Sequence, residues 1–275
     1  MKNNQINIKA SVIVVNFNNE KYVNRCLNSL HKQNYKNFEV IFVDDSSTDN
    51  SIISANKFFK NKKIKKYKLL TNTKKSKFGS FNQINCILKG LKYCNGDIIL
   101  FLDSDDFFKN SKIKEVIKFF KKNNKTKISF DLSYNYYNQK TKIKNKINNR
   151  SKNLIPWPSF SSQSCISVKK NYLKKIIKSI SIKKYPDIWF DFRLISKGFY
   201  DFGKINHINK HLTYYQQNLG SVSQKFSKFS NKWWARRSEA HKFINNEILK
   251  NKKTILSLDY YLTNLINLFF IKNVR

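Results

Sequence analysis

The chain has 275 residues, 40% of them apolar, enough to bury one sizeable core, or a core with a smaller appendage, without disulfides or a structural metal. Its four cysteines, Cys26, Cys86, Cys94 and Cys165, make no CxxC pair and no regular spacing, which excludes a zinc knuckle and a disulfide framework and predicts buried or reduced thiols. With 54 Lys and Arg against 17 Asp and Glu, the formal net charge of +37 attracts phosphates, nucleic acid or anionic lipid without choosing among them.

The opening, MKNNQINIKASVIVVNF, holds an apolar run of only a few residues. That is too short for a signal sequence or a spanning helix, so a cytosolic protein is expected. Residues 11–15, SVIVV, read as a buried strand, and KYVNRCLNSLHKQ follows as a helix with Val23, Leu27 and Leu30 at helical spacing. FEVIFVDDSSTDNS repeats the pattern: a strand at 38–43, the pair Asp44–Asp45 at its carboxyl end, and Ser and Asp residues suited to capping a helix. KKYKLLTN predicts a third strand, FNQINCILKGLKYC a helix, and DIILFLDSDD a strand that ends in Asp103-Ser104-Asp105-Asp106. The alternation of strand and helix predicts a mostly parallel α/β sheet.

Between 131 and 155 the pattern dissolves into Asn, Lys and Tyr, a stretch readable as an extended excursion, an edge strand or a mobile loop. CISVKKNYLKKII then predicts a strand and a helix, IWFDFRLISKG a helix ending at Gly198, and HLTYYQQ a strand. The tail, 230–275, carries Trp233-Trp234 beside Arg236-Arg237 and ends in TILSLDYYLTNLINLFFIKNVR, apolar enough to dock on a partner or lie on a membrane, while Asp259 and Asn264 argue against a span. His31, His207, His211 and His241 include one i, i+4 pair, but HINKHLTYY reads as loop then strand, so surface roles are expected for all four.

Open parallel sheets bind ligands beyond the carboxyl ends of their strands, where both acidic clusters fall. Such carboxylates can hold a hard divalent cation against a diphosphate, which suits nucleotidyl or glycosyl transfer; the plain alternative is that DSDD is a solvated loop capping the helix at 112–120. Residues 11–51 resemble the nucleotide-binding opening of the family 2 inverting glycosyltransferases of GT-A fold. NGDIILFLDSDD is similar to that family's approach to its DxD motif, and PDIWFDFRLISKG to its third block, which supplies an acidic base.

The resemblance implies a GT-A type fold, a Rossmann-like, mostly parallel central sheet flanked by helices, with a helical C-terminal tail. It divides the chain into a catalytic domain at 1–228, with a nucleotide-binding half at 1–110 and an acceptor-binding half at 111–228, and an extension at 229–275. It implies Asn16, Phe17, Asp44, Asp45, Asp103 and Ser104 as nucleotide-sugar contacts, Asp103 and Asp105 as ligands of Mn²⁺ or Mg²⁺ with Asp106 behind them, and Asp187 ahead of Asp191 as the base. Asp187 and Asp191 would share a face if one helix held both. The donor implied is a nucleotide sugar, a UDP-sugar first; the acceptor is a glycan or lipid-linked hydroxyl, met in the cytoplasm at the inner face of the membrane. The sequence departs from the family at Val15, Ser46-Ser47, Pro186 and Asn218, and replaces an expected Arg-Asn pair with a segment offering Gly79, Asn82 and Gln83. The rival readings are a basic nucleic-acid-binding protein, disfavoured because no nucleic-acid motif is present, a sugar nucleotidyltransferase, disfavoured by the absence of a Gly-rich basic opening, and an inactive scaffold of the same fold.

Overall fold

The computed structural model describes residues 8–61, 66–137, 141–146, 154–217, 226–250 and 255–272. In chain order the first half runs β1 (Ala10–Asn16), α1 (Glu20–His31), β2 (Phe38–Asp44), α2 (Ser51–Asn61), β3 (Tyr67–Thr71), α3 (Gly79–Leu91), β4 (Ile98–Asp103) and β5 (Phe107–Phe108). The second half runs α4 (Lys112–Lys122), β6 (Ile128–Tyr137), β7 (Thr141–Lys144), β8 (Ile166–Lys169), α5 (Lys170–Ile180), α6 (Phe190–Phe202) and β9 (Asn206–Gln216), then α7 (Asn231–Lys242) and α8 (Leu258–Lys272). The nine strands join one sheet in the order β3-β2-β1-β4-β8-β6-β9-β5, with β7 paired to β6.

β1, β2, β3 and β4 are mutually parallel, and β8 turns antiparallel onto β4. β1 is apolar on both faces because helices cover both, as a central parallel strand requires. Val12 and Val14 meet Leu27 and Leu30 of α1, Phe59 of α2 and Val116 of α4 on one side. Ile13 meets Ile84 and Ile87 of α3 on the other, where Leu173 of α5 and Leu194 of α6 extend the same core. The four cysteines are free and buried, as expected.

Three expectations change. The stretch that begins at 131 is not irregular: β6 is a ten-residue strand lying between β8 and β9, and β7 pairs back on it. Its pattern hides because Ile128, Phe130 and Leu132 are buried on one face while Ser129, Asp131 and Ser133 are buried on the other. Residues 138–140 and 147–153 of that stretch lie outside the described residues. Second, α6 does not end at Gly198 but runs to Phe202, and Gly203, at φ 72°, makes the left-handed cap. Gly198 is there for contact, since a Cβ on it would stand 2.8 Å from Ile128 Cγ2. Third, β9 already includes His207 and His211, and His241 is buried on α7 against Asp259 Oδ2 at 2.9 Å, so a surface role fails for that residue.

Asp131 explains the polar face of β6. Its carboxylate pairs with Lys112 Nζ, and both side chains are fully buried. Thr213 Oγ1 of β9 donates to Asp131 Oδ2 at 3.0 Å, and Lys112 Nζ donates to Thr213 Oγ1 at 3.1 Å. Burial pushes the Lys112 ammonium down to about 7. Removing one partner of such a pair strands a charge, whereas replacing both with apolar groups does not. Lys112→Met should therefore lose about 3–5 kcal/mol of unfolding free energy, and Lys112→Met with Asp131→Leu should recover most of it, as read by denaturant titration.

Candidate functional site

The site begins where β1 and β2 end side by side, Asn16 opposite Asp44. Asn16 is buried, and its amide donates to Asp44 Oδ1 at 2.7 Å and to Ser47 Oγ at 3.1 Å. The Ser47 hydroxyl donates to Asp44 Oδ1 at 2.6 Å, its N–H donates to Asp44 Oδ2 at 2.8 Å, and it accepts the Asn18 N–H at 2.9 Å. Asp44 thus closes the loop on itself. Asn18 and Ser46, at φ 49° and 54°, make the left-handed turns this closure needs. Ser46 ties its hydroxyl to Asn72 O at 2.6 Å, which holds a left-handed backbone that glycine would adopt more readily. Asp45 is buried, which raises its carboxyl, and it accepts Asn72 Nδ2 at 2.7 Å. Phe17, by contrast, leaves 53% of its surface in solvent.

On the other edge of β1, Val15 pairs with Asp103 of β4, which carries the second acidic cluster to the same end. Ser104 is buried: its N–H donates to Val15 O at 3.0 Å and its hydroxyl accepts Asn19 Nδ2 at 2.8 Å, pinning the two loops together. Asp103 Oδ1 accepts Gln163 Nε2 at 2.7 Å, and Asp103 N–H donates to Ser164 Oγ at 3.0 Å. Asp106 folds back, donating its N–H to Asp103 O at 2.9 Å and accepting Gln216 N–H on Oδ1 at 2.8 Å. Arg25 of α1 donates to Asp105 O at 2.8 Å and to Gln216 Oε1 at 2.6 Å, with its guanidinium 4.5 Å from the Phe107 ring centre.

Burial raises the carboxyls of Asp103 and Asp106 well above the ordinary range, and Asp105 adds to both by like charge. Asp105 itself is pushed up to about 6, chiefly by burial, with Arg25 working against it. No ion pair neutralises these three among the described residues. Oxygen donors of one sign, enclosed and unneutralised, fit a hard divalent cation. Among the described residues no group of three or more His, Cys, Asp or Glu side chains is gathered so as to hold a metal ion.

Asp187 lies before α6, not on it, because Trp189 is the cap residue; the shared helical face does not form. Its N–H donates to Glu239 Oε2 of α7 at 2.9 Å. Burial raises Asp187, and Arg236 and Lys232 of α7 partly offset it. Asp191, in the first turn of α6, is raised by burial and offset by Arg236, and Asp103 feels its charge. The structure therefore sets Asp191 beside the β4 cluster and Asp187 against α7. Glu239, on α7 in the tail itself, is pushed up to about 7 by burial, with the Asp187 charge adding to it. Gln83 Oε1 accepts the Phe190 N–H at 3.3 Å, Asn82 is engaged with Ser76, and Gly79 lies under the Trp189 ring. Asn218 lies outside the described residues. The DSDD run does not cap α4: its cap residue, Ser111, makes no side-chain cap bond.

Arg193 fixes the segment that carries Asp187. Fully buried, it donates to the carbonyls of Ile188 at 2.8 Å, Ile180 at 3.2 Å, Ile182 at 2.6 Å and Tyr185 at 2.7 Å. Arg193 as a positioning group, Gln163, Gln216 and Arg25 were not singled out by sequence reasoning. Gln163 and Gln216 carry no periodic signal, but the arginines do: only six of the 54 basic residues are arginine, and a planar five-donor fork is what these places need. A separate groove of about 1550 Å³, lined by Asp97, Lys127, Lys169 and Tyr172, opens by the amino ends of β4 and β6 and contains none of these acids.

The Glycosyl transferase family 2 profile matches residues 11–201. The chain is 30% identical over 260 residues to the Escherichia coli UDP-Glc:alpha-D-GlcNAc-diphosphoundecaprenol beta-1,3-glucosyltransferase WfaP, covering 93% of each. It is 36% identical over 114 residues to the Staphylococcus aureus poly(ribitol-phosphate) beta-N-acetylglucosaminyltransferase TarS, a match to 41% of this chain but 19% of that protein. The structure is similar to TarS 1–349 in complex with UDP-GlcNAc, with a TM-score of 0.60 at 20% identity over 96% of this chain and 72% of that one. It is also similar to the Pyrobaculum calidifontis mannosyltransferase PcManGT in complex with GDP-Man and Mn²⁺, with a TM-score of 0.57 at 13% identity over 90% of this chain and 66% of that one. These neighbours establish the fold as GT-A.

Because burial pushes the folded Asp105 carboxyl up to about 6, against about 4 for an unfolded aspartate, the native state should hold an extra proton between those values. That contribution is present at low pH and is lost as pH rises through about 6. In divalent-free buffer, Asp105→Asn should gain about 1–3 kcal/mol relative to the wild type between about pH 4 and pH 7, measured by denaturant titration at each pH.

Proposed function

The chain belongs to glycosyl transferase family 2, and from that premise we propose that it moves a sugar from a UDP-sugar to a hydroxyl of a lipid-linked or growing surface glycan, with inversion at the anomeric carbon. One observation carries the reading: register on β1 brings the Asn16–Asp44–Asp45 loop and the Asp103–Asp105–Asp106 loop to one end of the sheet. The named substrates of relatives support the choice of partners, since WfaP takes UDP-Glc and a diphosphoundecaprenol acceptor, and TarS is bound to UDP-GlcNAc.

In this reading the 1–110 half holds the nucleotide. Phe17 offers an exposed ring face to the base, while Asn16 and Asp44 hold the loop shape and Asp45 stands at its rim. Asp103 faces the ribose and sugar, and Ser104, buried behind it, pins that loop to Asn19. Asp105 and Asp103, as the DxD pair, would hold Mn²⁺ or Mg²⁺, which when bound neutralises the charge of the departing diphosphate. Arg25 keeps Asp105 in place through its carbonyl.

The 111–228 half presents the acceptor to Asp187. That carboxylate takes the hydroxyl proton as the acceptor oxygen bonds to the anomeric carbon and the bond to the nucleoside diphosphate breaks. Asp187 suits this role because it is less enclosed than Asp191 and its proton affinity is raised by burial. A second reading gives the base to Asp191, which alone of the two is felt by Asp103. Pro186 stands in place of a glutamate, and Glu239 of α7 brings a carboxylate to the Asp187 N–H at 2.9 Å.

A thermal-shift panel of UDP-, GDP-, CMP- and dTDP-sugars with Mn²⁺ should give a metal-dependent shift with the UDP-sugar that is lost in Asp105→Ala. Asp187→Asn should then lower kcat by roughly 10²–10⁴ with donor KM little changed, whereas Asp191→Asn should act mainly on donor KM. The opposite pattern assigns the base to Asp191. No shift with any donor would favour an inactive scaffold, and binding of RNA with a steep salt slope a nucleic-acid protein.

A further inference from the structure

α8 is built inside out. Leu258, Tyr261, Leu262, Leu265, Leu268 and Phe269 fall at i, i+3, i+4, i+7, i+10 and i+11, one helical face, and each leaves 49–66% of its surface in solvent. Asp259, Thr263 and Asn267, on the opposite side, face the protein. Asp259 receives the Arg237 guanidinium of α7, with Nε at 3.0 Å, and the buried His241 ring at 2.9 Å. Thr263 is fully buried, and Asn267 Nδ2 donates to Trp234 O at 3.2 Å. With its polar face fastened to α7, the helix cannot roll to hide its leucines.

The surroundings identify what covers this face. Near its carboxyl-terminal half, where Asn267 meets Trp234, lies an aromatic cluster: Phe229, 70% exposed, packs on Trp233 and Trp234. Lys228 and Lys232, both exposed, flank Phe229 and Trp233 in the chain, and the Arg237 guanidinium lies 4.4 Å from the Trp233 ring centre. Aromatic rings and lysines beside an apolar helical stripe match the boundary between headgroups and acyl chains. A second copy of the chain fits less well, because a two-fold contact would bring the same lysines against themselves at a net charge of +37. No helix among the described residues is long and apolar enough to cross a membrane, so α8 would lie in the plane.

We propose that the outer face of α8, with the Phe229–Trp233 corner, docks on an anionic bilayer surface and thereby sets the acceptor side of the site at headgroup level. α7 links the two. Its Arg236 and Lys232 act on Asp187, and its Arg237 holds α8. The positional half of the inference rests on the lipid-linked acceptor of the proposed function; the docking half does not.

The test is flotation of the full chain with vesicles of phosphatidylcholine alone and of phosphatidylcholine with phosphatidylglycerol, for wild type and for Leu262→Glu/Leu265→Glu, both substitutions on exposed positions. Wild type should float with the anionic vesicles and the variant at least about tenfold less, with melting temperature unchanged. Transfer to a lipid-linked acceptor in those vesicles should fall with flotation, while transfer to a short soluble acceptor and donor hydrolysis stay as in wild type. Equal flotation of the two proteins overturns the docking. So does a wild-type dimer, seen by sedimentation, that the variant breaks without any vesicle binding. Flotation lost in the variant with no donor turnover in either protein would overturn the enzymatic reading and leave the docking standing.

Discussion

Register on the two edges of β1 decides where each acid at the β2 and β4 ends falls. β1 pairs with β2 so that Asn16 meets Asp44, and with β4 so that Val15 meets Asp103. A slip of one residue on either edge would move an acidic end by about 3.3 Å and turn it to the other face. The apolar residues of β1 forbid that slip, since Val12 and Val14 already fill one helical layer and Ile13 the other. Core packing therefore positions the site before any polar contact is counted, and Asn19 to Ser104, across the two loops, needs only to lock it.

The locked site keeps unneutralised charge in an enclosed place. Arg25 comes close to Asp105 yet is spent on its carbonyl, and Arg236 lies toward Asp187 and Asp191 instead of the β4 cluster. Net positive charge is abundant on this chain, yet among the described residues no lysine or arginine forms an ion pair with Asp103, Asp105 or Asp106, which is a property of the fold and not of composition. Where the chain does bury a lysine, at Lys112, it supplies Asp131 for it. The two treatments of a buried charge, paired under the sheet and unpaired at its end, separate scaffold from site.

The first half of the chain was legible because its strands are short apolar runs with acids at their ends and its helices have a clear period. β6 was not, because an apolar face and a buried polar face give no alternation of exposure to detect. The end of α6 was misplaced because Gly198, read as a stop, serves a close contact with Ile128, and the true stop is Gly203. The pairing of acids across the site was legible in kind but not in arrangement. A motif names Asp187 and Asp191, yet only the three-dimensional course of residues 181–190 separates one toward α7 from the other toward β4. His241 escaped because its partner, Asp259, comes from an extension whose docking no local pattern announces.

The clamp at Arg193 reads carbonyl oxygens and no side chain of the segment it gathers. Every residue type supplies a carbonyl, so substitutions between Ser181 and Ile188 leave the clamp's ligands intact. Tyr185 and Ile188 are held in the core, but the exposed Lys183 and Lys184 just before them can change without loosening the clamp. The surface chemistry of this stretch and the backbone course that carries Asp187 are in this way set by different atoms, and one can drift while the other is kept.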